Sequence, residues 1–205
     1  MSKSVSDAFL KCIPQDFLFD LVAAIRAAYP AAQLKASELS PEVQRNVAGT
    51  ERWGLVESHF FEIASRYELQ PEWISNRNNS SQHVELSLNG FVVTISKTEA
   101  AGTLPGDADF RLALLATTQL RLFEEDRPEG GFVYAIITHG PTVDPASAGF
   151  VEVLFPDRDR QIVERIDLLE FTRKATIANI VAETIQDTSV PVLRRLGKVE
   201  GELRR

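Results

Sequence analysis

The stretch QHVELSLNGFVVTISK, Gln82 to Lys97, decides the fold, because its turn chemistry and its side-chain alternation both predict one β-hairpin. Asn89-Gly90 suits a two-residue type I′ turn, in which both residues take positive φ. That turn pairs six apolar residues across the two strands: Leu88 with Phe91, Leu86 with Val93, and Val84 with Ile95. A slip of one residue would move all six to the other face, so the pattern predicts the register as well as the strands.

The opposite face of this hairpin is polar, with His83, Glu85 and Ser87 on its first strand. Alternation of this kind is typical of a sheet with one face toward water, so we expect His83 and Glu85 at the surface. Residues two apart on a strand share a face, and an imidazole and a carboxylate at that spacing can bind a divalent metal ion. His83 and Glu85 are therefore the candidate metal ligands, and an ordinary surface role for both is the alternative.

Length and composition bound the class of protein. The chain has 205 residues, of which 44% are apolar and 25% charged, as is typical of a globular domain with its own core. Cys12 is the only cysteine. We find no signal peptide and no apolar run of about 18 residues, so we expect a cytoplasmic protein without a membrane segment. The formal net charge of −7 predicts that nucleic acid is not a partner.

The first third of the chain has the pattern of helices. One helix is predicted from Pro14 to Pro30, and a second from the cap Thr50 to Tyr67. The stretch 71–81, rich in Asn and Ser and opened by a proline, then marks a boundary before the hairpin.

The segment after the hairpin is predicted to alternate helices with strands. A helix is expected over 108–124, capped by Asp107 or Asp109, and an apolar stripe from Ile177 to Ile185 indicates another. Between them, GGFVYAIITHG (130–140) and AGFVEVLFPD (148–157) are nearly all apolar and predict two central strands.

These elements predict an α+β fold. We expect an antiparallel sheet of about four strands, formed by two hairpins and packed against helices. The chain then divides into a helical N-terminal region (1–70), an α+β core (82–189) and a basic C-terminal tail (190–205).

Candidate catalytic residues come from position rather than from a motif, because no glycine-rich nucleotide loop, His-Glu-x-x-His or Gly-x-Ser-x-Gly occurs. His139 ends an apolar strand and opens a loop with Pro141, and sites on rigid scaffolds often lie at such points. Asp144 in that loop and Glu152 in the facing strand are the groups expected to orient it. The alternative is a histidine that caps the strand through a backbone bond.

The order of helices and strands invites comparison with metal-dependent nuclease cores, in which an acidic residue in one strand is followed by Glu-x-Lys in the next. Glu85 would be the first carboxylate, but the second strand ends Ile95-Ser96-Lys97, with an isoleucine in place of the second carboxylate. This departure argues against a nuclease of that design. Glu57 lies at the margin of the apolar face of its helix, either partly buried or reaching water.

The tail PVLRRLGKVEGELRR (191–205) belongs to the one region with a cationic bias, since residues 190–205 hold five basic and two acidic side chains. An apolar seam with basic flanks suits a protein groove or an acidic partner, and it lacks the interleaved aromatic residues that stack on bases. A frayed terminus is the alternative, because Gly197 and Gly201 weaken a helix. The candidate partner-binding residues are Leu193, Arg194, Arg195, Leu196 and Lys198.

Two functions remain open at this point. The first is a non-catalytic cytosolic protein that binds another protein, as adaptors and inhibitors do; it needs no cofactor and is compatible with a homo-oligomer. The second is a metal-dependent hydrolase that uses His139, or His83 with Glu85. Convergence of these three residues in one cleft would favour the enzyme, and their separation would disfavour it.

Overall fold

Six strands form one sheet in the computed structural model, which describes residues 4–76, 81–118 and 131–177. They lie side by side in chain order: β1 (Pro71–Ser75), β2 (Gln82–Leu88), β3 (Phe91–Lys97), β4 (Val133–Gly140), β5 (Phe150–Pro156) and β6 (Ile162–Asp167). Neighbouring strands are antiparallel except β3 and β4, which are parallel. The predicted α+β class is confirmed, but the sheet is mixed and has six strands rather than four.

The parallel pair β3–β4 follows from the segment between the two predicted hairpins. Parallel neighbours need a long crossover, usually with a helix, instead of a tight turn. Residues 98–132 supply that length and include the helix α4 (Asp109–Thr117). Strand β4 therefore begins beside the first residue of β3. Phe91 pairs with Val133, and Lys97 pairs with His139.

Three helices cover one face of the sheet: α1 (Val5–Cys12), α2 (Gln15–Ala36) and α3 (Pro41–Arg66). Phe9 of α1 contacts Phe91 of β3 and Phe155 of β5, with ring centroids 5.3 and 5.4 Å apart. The helical N-terminal region therefore packs directly on the sheet. All three aromatic side chains are almost completely buried.

Helix α4 covers the opposite face. Leu115 of α4 packs with Tyr134 and Ile136 of β4 in a buried cluster. With helices on both faces, β4 and β5 are buried along their whole length, as their apolar sequences predicted.

The helix boundaries in the first third differ from the prediction. Helix α2 continues through Pro30 to Ala36, because Pro30 lies on its exposed side, where water can solvate the carbonyl group that loses its partner. Helix α3 begins at Pro41, so Thr50 is not a cap; its hydroxyl donates to the Asn46 carbonyl one turn earlier, at 3.1 Å.

The structure also differs from the prediction at two strands, β1 and β6, and at the end of one helix, α4. The stretch expected to be a boundary contains β1, an edge strand whose first residue, Pro71, needs no ladder bond of its own. Strand β6 was not predicted. Helix α4 ends at Thr117 rather than at 124, and its N-cap is Ala108 without a side-chain cap bond.

Helix α2 is the one helix among the described residues that is long and apolar enough to cross a membrane. It also packs along α3, and Phe17, Leu21 and Ile25 on it are buried, as in the core helix of a globular domain.

The chain divides into two compact units, residues 1–169 and 170–205. In the second unit the described residues, 170–177, are helical, and Lys174 pairs with Glu170 at 2.7 Å. Most of the predicted C-terminal stripe and the whole basic tail lie outside the described residues.

Candidate functional site

The hairpin opens into a fork between β2 and β3. The ladder has the predicted register at Leu88–Phe91 and Leu86–Val93 but stops there. Alternation of hydrogen-bonded pairs would next join Val84 to the carbonyl group of Ile95. Instead the Val84 N–H donates to Glu57 Oε2 of α3 at 3.0 Å, so a carboxylate replaces the expected backbone acceptor.

Glu57 is a buried carboxyl group, only 3% exposed. Burial raises its pKa to about 7, although the Val84 N–H, the Trp53 side chain and the positive charge of Arg111 oppose that rise. The group therefore exchanges its proton near neutral pH. Of the two alternatives that the sequence left open for Glu57, burial is the one found.

His83 is buried, at 4% exposure, so the expectation of a surface histidine is wrong. The reason is α4, which returns over this face and stacks Phe110 on the imidazole with ring centroids 3.6 Å apart. His83 Nδ1 lies 3.0 Å from Asn76 Oδ1, and Nε2 lies 2.8 Å from Glu85 Oε1. Both predicted metal ligands are thus bonded to each other or to neighbouring side chains.

Arg111 of α4 places a positive charge next to the fork. Its Nη1 donates to Ser96 Oγ at 3.2 Å, and its Nε and Nη2 donate to the Gly106 carbonyl at 3.0 and 2.7 Å. Burial lowers the pKa of Arg111, while Tyr134, Asp107 and Glu57 act to raise it. A guanidinium group held in this way opposes the binding of a metal cation.

Strand β3, the neighbour of Glu85, supplies no second carboxylate for a metal pair. The residues of β3 that share a face with Glu85 are Thr94 and Ser96, because Ile95 points to the helices α1–α3. Both therefore offer hydroxyl groups. The described part of the chain contains no group of three or more His, Cys, Asp or Glu residues that could hold a metal ion.

His139 lies on the other face of the sheet, with 2% of its surface exposed. Its Nδ1 is 2.9 Å from the Tyr29 hydroxyl of α2. Burial, with smaller effects of Arg52 and Lys97, lowers the pKa of His139 to about 3, so the ring is neutral at physiological pH. Burial also raises the pKa of Tyr29 to about 12.

The structure does not bring Asp144 or Glu152 to His139. Glu152 points to the α4 face, where it accepts from the Thr138 hydroxyl at 3.2 Å and from the Gly102 N–H. Asp144 is exposed and accepts from the Ala146 N–H at 2.8 Å within its own loop. His83 and Glu85 are likewise on the face opposite His139, so the three residues named for a hydrolase do not converge.

An exposed aromatic surface lies along the outer edge of β1. Trp73 of β1 stacks on Phe61 of α3, with ring centroids 5.7 Å apart, and is 39% exposed. Trp53, eight residues before Phe61 on α3, is 45% exposed. We call Phe61, Trp73 and the outer edge of β1 the edge surface.

The outer edge of β1 presents backbone groups that β2 does not use. Asn76 N–H donates to the Ser81 carbonyl at 2.9 Å, which fixes the alternation along the pair. Residues 72 and 74 then bond to β2, whereas Trp73 and Ser75 direct their N–H and C=O groups outward. An edge strand of this kind can pair with a further strand.

Several residues around these sites carried no sequence signal. Arg52, Arg111 and Tyr29 stand at ordinary helix positions, and their partners are distant in the chain. The exposure of Trp73 had one weak signal, since Trp73 lies two residues after Pro71 in a segment with few apolar residues. The tail residues Leu193 to Lys198 lie outside the described part of the chain.

Comparisons with protein-family models, with curated proteins and with solved structures gave no match. Function is therefore inferred from the geometry of this chain.

Proposed function

We propose that the chain is a non-catalytic protein-binding protein, of the adaptor or inhibitor kind, that holds an extended segment of its partner along β1. The observation that carries this proposal is the exposed Trp73, stacked on Phe61 beside outward-facing backbone groups. Tryptophan is enriched in binding hot spots, and strand addition draws affinity from backbone bonds and specificity from side-chain contacts.

Charge favours a basic segment. Glu68, three residues before β1, and Glu72, within it, are exposed. Neither has an ion-pair partner among the described residues. The chain as a whole has a net charge of −7. A partner strand with lysine or arginine next to its apolar residues would bind faster and more selectively than a neutral one.

The hydrolase alternative has less support. His139 is on the opposite face of the sheet from His83 and Glu85, and Arg111 lies beside the fork where a cation would be needed. Without a convergent set of acid, base and nucleophile, the described residues give no reaction centre to develop.

The test uses a displayed library of random linear peptides, selected on the full chain. Ser75→Pro removes the outward N–H and leaves the backbone bonds to β2, but it also removes the hydroxyl that accepts from Gln82 Nε2 at 3.3 Å. Ser75→Ala is the matched control, because it loses the same hydroxyl and keeps the N–H. We expect selected peptides to be basic and rich in β-branched or aromatic residues. Their Kd should be unchanged for Ser75→Ala and about tenfold higher for Ser75→Pro.

Equal affinity for both variants, or no selected peptide, would refute the proposal. Light scattering of the free chain gives a second outcome. A dimer that Ser75→Pro dissociates would make a second copy of this chain the occupant of β1, which would also overturn binding of a different protein.

A further inference from the structure

Arg52 is a buried cation without an anion. It lies on α3, is 5% exposed, and none of the ion pairs among the described residues includes it. One nitrogen, Nη2, donates to the Pro145 carbonyl at 2.8 Å, whereas the buried Nε has no hydrogen-bond partner. Burial of a charge is costly unless it is paired, so this unmet donor needs an explanation.

The groups around Arg52 do not supply the missing negative charge. Its guanidinium lies over the ring of Tyr29, 4.2 Å from the centroid, and Tyr29 bonds His139. The raised pKa of Tyr29 and the lowered pKa of His139 leave both side chains neutral at physiological pH. Lys97, which neighbours His139 across the parallel pair, adds a second positive charge, and its own partner at 3.4 Å is the exposed Glu99.

The position within the fold is one where ligands bind. Lys97 and His139 stand at the carboxyl ends of the parallel strands β3 and β4. In open sheets with parallel strands, ligands bind outside these ends. The loop from Pro141 to Gly149 lies beside them and is closed by a 2.8 Å bond from the Gly149 N–H to the Gly140 carbonyl.

We propose that Arg52 anchors a binding site for a phosphate group at this end of the sheet. A phosphate oxygen accepts from the free Nε–H, and Lys97 contributes the second positive charge that a dianion needs. The Nε is buried and Pro145, whose carbonyl accepts from Nη2, is exposed, so the ligand enters by displacing Pro145 from the guanidinium. The site includes neither Phe61, Trp73 nor β1 and does not depend on the function proposed for β1.

The first experiment measures the thermal midpoint of the full chain in inorganic phosphate and in sodium chloride of equal ionic strength. Phosphate should raise the midpoint of the wild-type chain and of Arg66→Met, a control that removes an exposed arginine bonded to Asp20. Arg52→Met should lose this phosphate-dependent rise. A rise that is equal in Arg52→Met, or absent in the wild-type chain, would refute the site.

A second variant keeps the proposal testable if Arg52→Met does not fold. Lys97 is partly exposed and bonds only Glu99 among the described residues, so Lys97→Met should fold and bind phosphate at least about fivefold more weakly. Proton NMR of the wild-type imidazoles should show the His139 signal moving with phosphate and the His59 signal unchanged. No movement at His139, or equal affinity for Lys97→Met, would contradict the proposal.

A phosphate monoester such as phenyl phosphate identifies the source of the group. Tighter, Arg52-dependent binding of the monoester would assign the site to a phosphorylated molecule, and tighter binding of inorganic phosphate would assign it to the free ion. Binding of either that is independent of Arg52 and Lys97 would mean an adventitious ion only and would refute the site.

Discussion

Glu57 links the free energy of unfolding to pH, because its carboxyl group has a raised pKa only in the folded chain. The folded value is about 7, against 4.5 for the unfolded group. The stabilisation is therefore complete below 4.5 and is lost as the pH rises through 7. Relative to Glu57→Gln, the wild-type chain should lose about 2 kcal/mol between about pH 5 and about pH 8.

Chemical denaturation of both proteins at each pH gives this difference directly. Glutamine keeps an oxygen acceptor for the Val84 N–H and cannot ionise, so the variant isolates the titration from the hydrogen bond. A difference that stays constant over the range would mean that Glu57 titrates as an ordinary exposed carboxylate.

His139 should act in the opposite direction. Its folded pKa of about 3 lies below the unfolded value of 6.5, so its contribution to stability is present above 6.5 and is lost as the pH falls toward 3. Against His139→Asn, the wild-type chain should lose about 2 kcal/mol between about pH 7.5 and about pH 5. His59→Asn, at a histidine whose side chain is 37% exposed, is the control.

The free energy of unfolding of the wild-type chain, measured alone against pH, would hide both effects. As the pH falls, the contribution of Glu57 to stability increases over the range in which that of His139 decreases. Only the difference curves separate them. If the free energy of unfolding of His139→Asn depends on pH in the same way as that of the wild type, the imidazole is protonated in the folded chain. The assignment of a buried neutral ring would then be wrong.

For single residues, the sequence predicted which helix or strand a side chain belongs to better than it predicted whether that side chain is buried and what it contacts. Glu57 could be marked because one carboxylate at the margin of an apolar helix face stands out in the periodicity. Burial of His83 could not be predicted, because Phe110 comes from α4, a helix that the antiparallel four-stranded sheet did not place on this face. The unpaired Nε of Arg52 depends on contacts with a helix and a loop that are far away in the chain.

Helix α1 depends on a carboxylate from the far edge of the sheet. Glu164 of β6 accepts from the Ser4 hydroxyl at 2.6 Å and from the N–H groups of Val5 and Ser6 at 3.0 and 2.9 Å. Partial burial would raise the pKa of Glu164, but these hydrogen bonds lower it to about 2. Glu164 thus serves the free N–H groups at the start of α1, where a negative charge also stabilises the helix dipole.

Glu164→Gln should lower the free energy of unfolding by about 1 kcal/mol, since it weakens the cap and removes its charge. Hydrogen exchange of the Val5 and Ser6 amides should accelerate more than exchange in β4. Glu99→Gln, at a carboxylate that is 95% exposed, is the matched control and should change neither quantity. An unchanged exchange rate at Val5 and Ser6 would show that α1 is held by Phe9 alone.

Among the elements, those with a complete local signal were predicted and those without one were not. The β2–β3 hairpin carried both turn residues and alternation, and its register was right as far as Leu86 and Val93. Beyond that point Glu57, from a helix, replaces the ladder, and the sequence of the hairpin cannot report this. Strand β1 begins with a proline and has five residues, so its pairing with β2 rather than its own pattern makes it a strand.

Across the whole molecule, the sheet separates the groups that the sequence had associated. Its helix α1–α3 face holds Tyr29, Arg52 and His139, and its α4 face holds His83 and Glu85. Strand parity decides this division, because neighbouring residues on a strand point to opposite faces. The edge surface at β1 belongs to neither group, which is why binding of a partner and binding of phosphate can be tested independently.

A chain that ends at residue 189 compares the edge surface with the basic tail as partner sites. The comparison requires that the free energy of unfolding of this chain match that of the full chain within about 0.5 kcal/mol, which chemical denaturation measures first. Peptides selected on the full chain should bind it with unchanged Kd, measured by surface plasmon resonance, because β1 and Trp73 are intact. Adding Ser75→Pro should then weaken binding about tenfold. A loss of that size caused by the truncation alone would move the site to Leu193 and its basic neighbours, since only their contacts would have been removed.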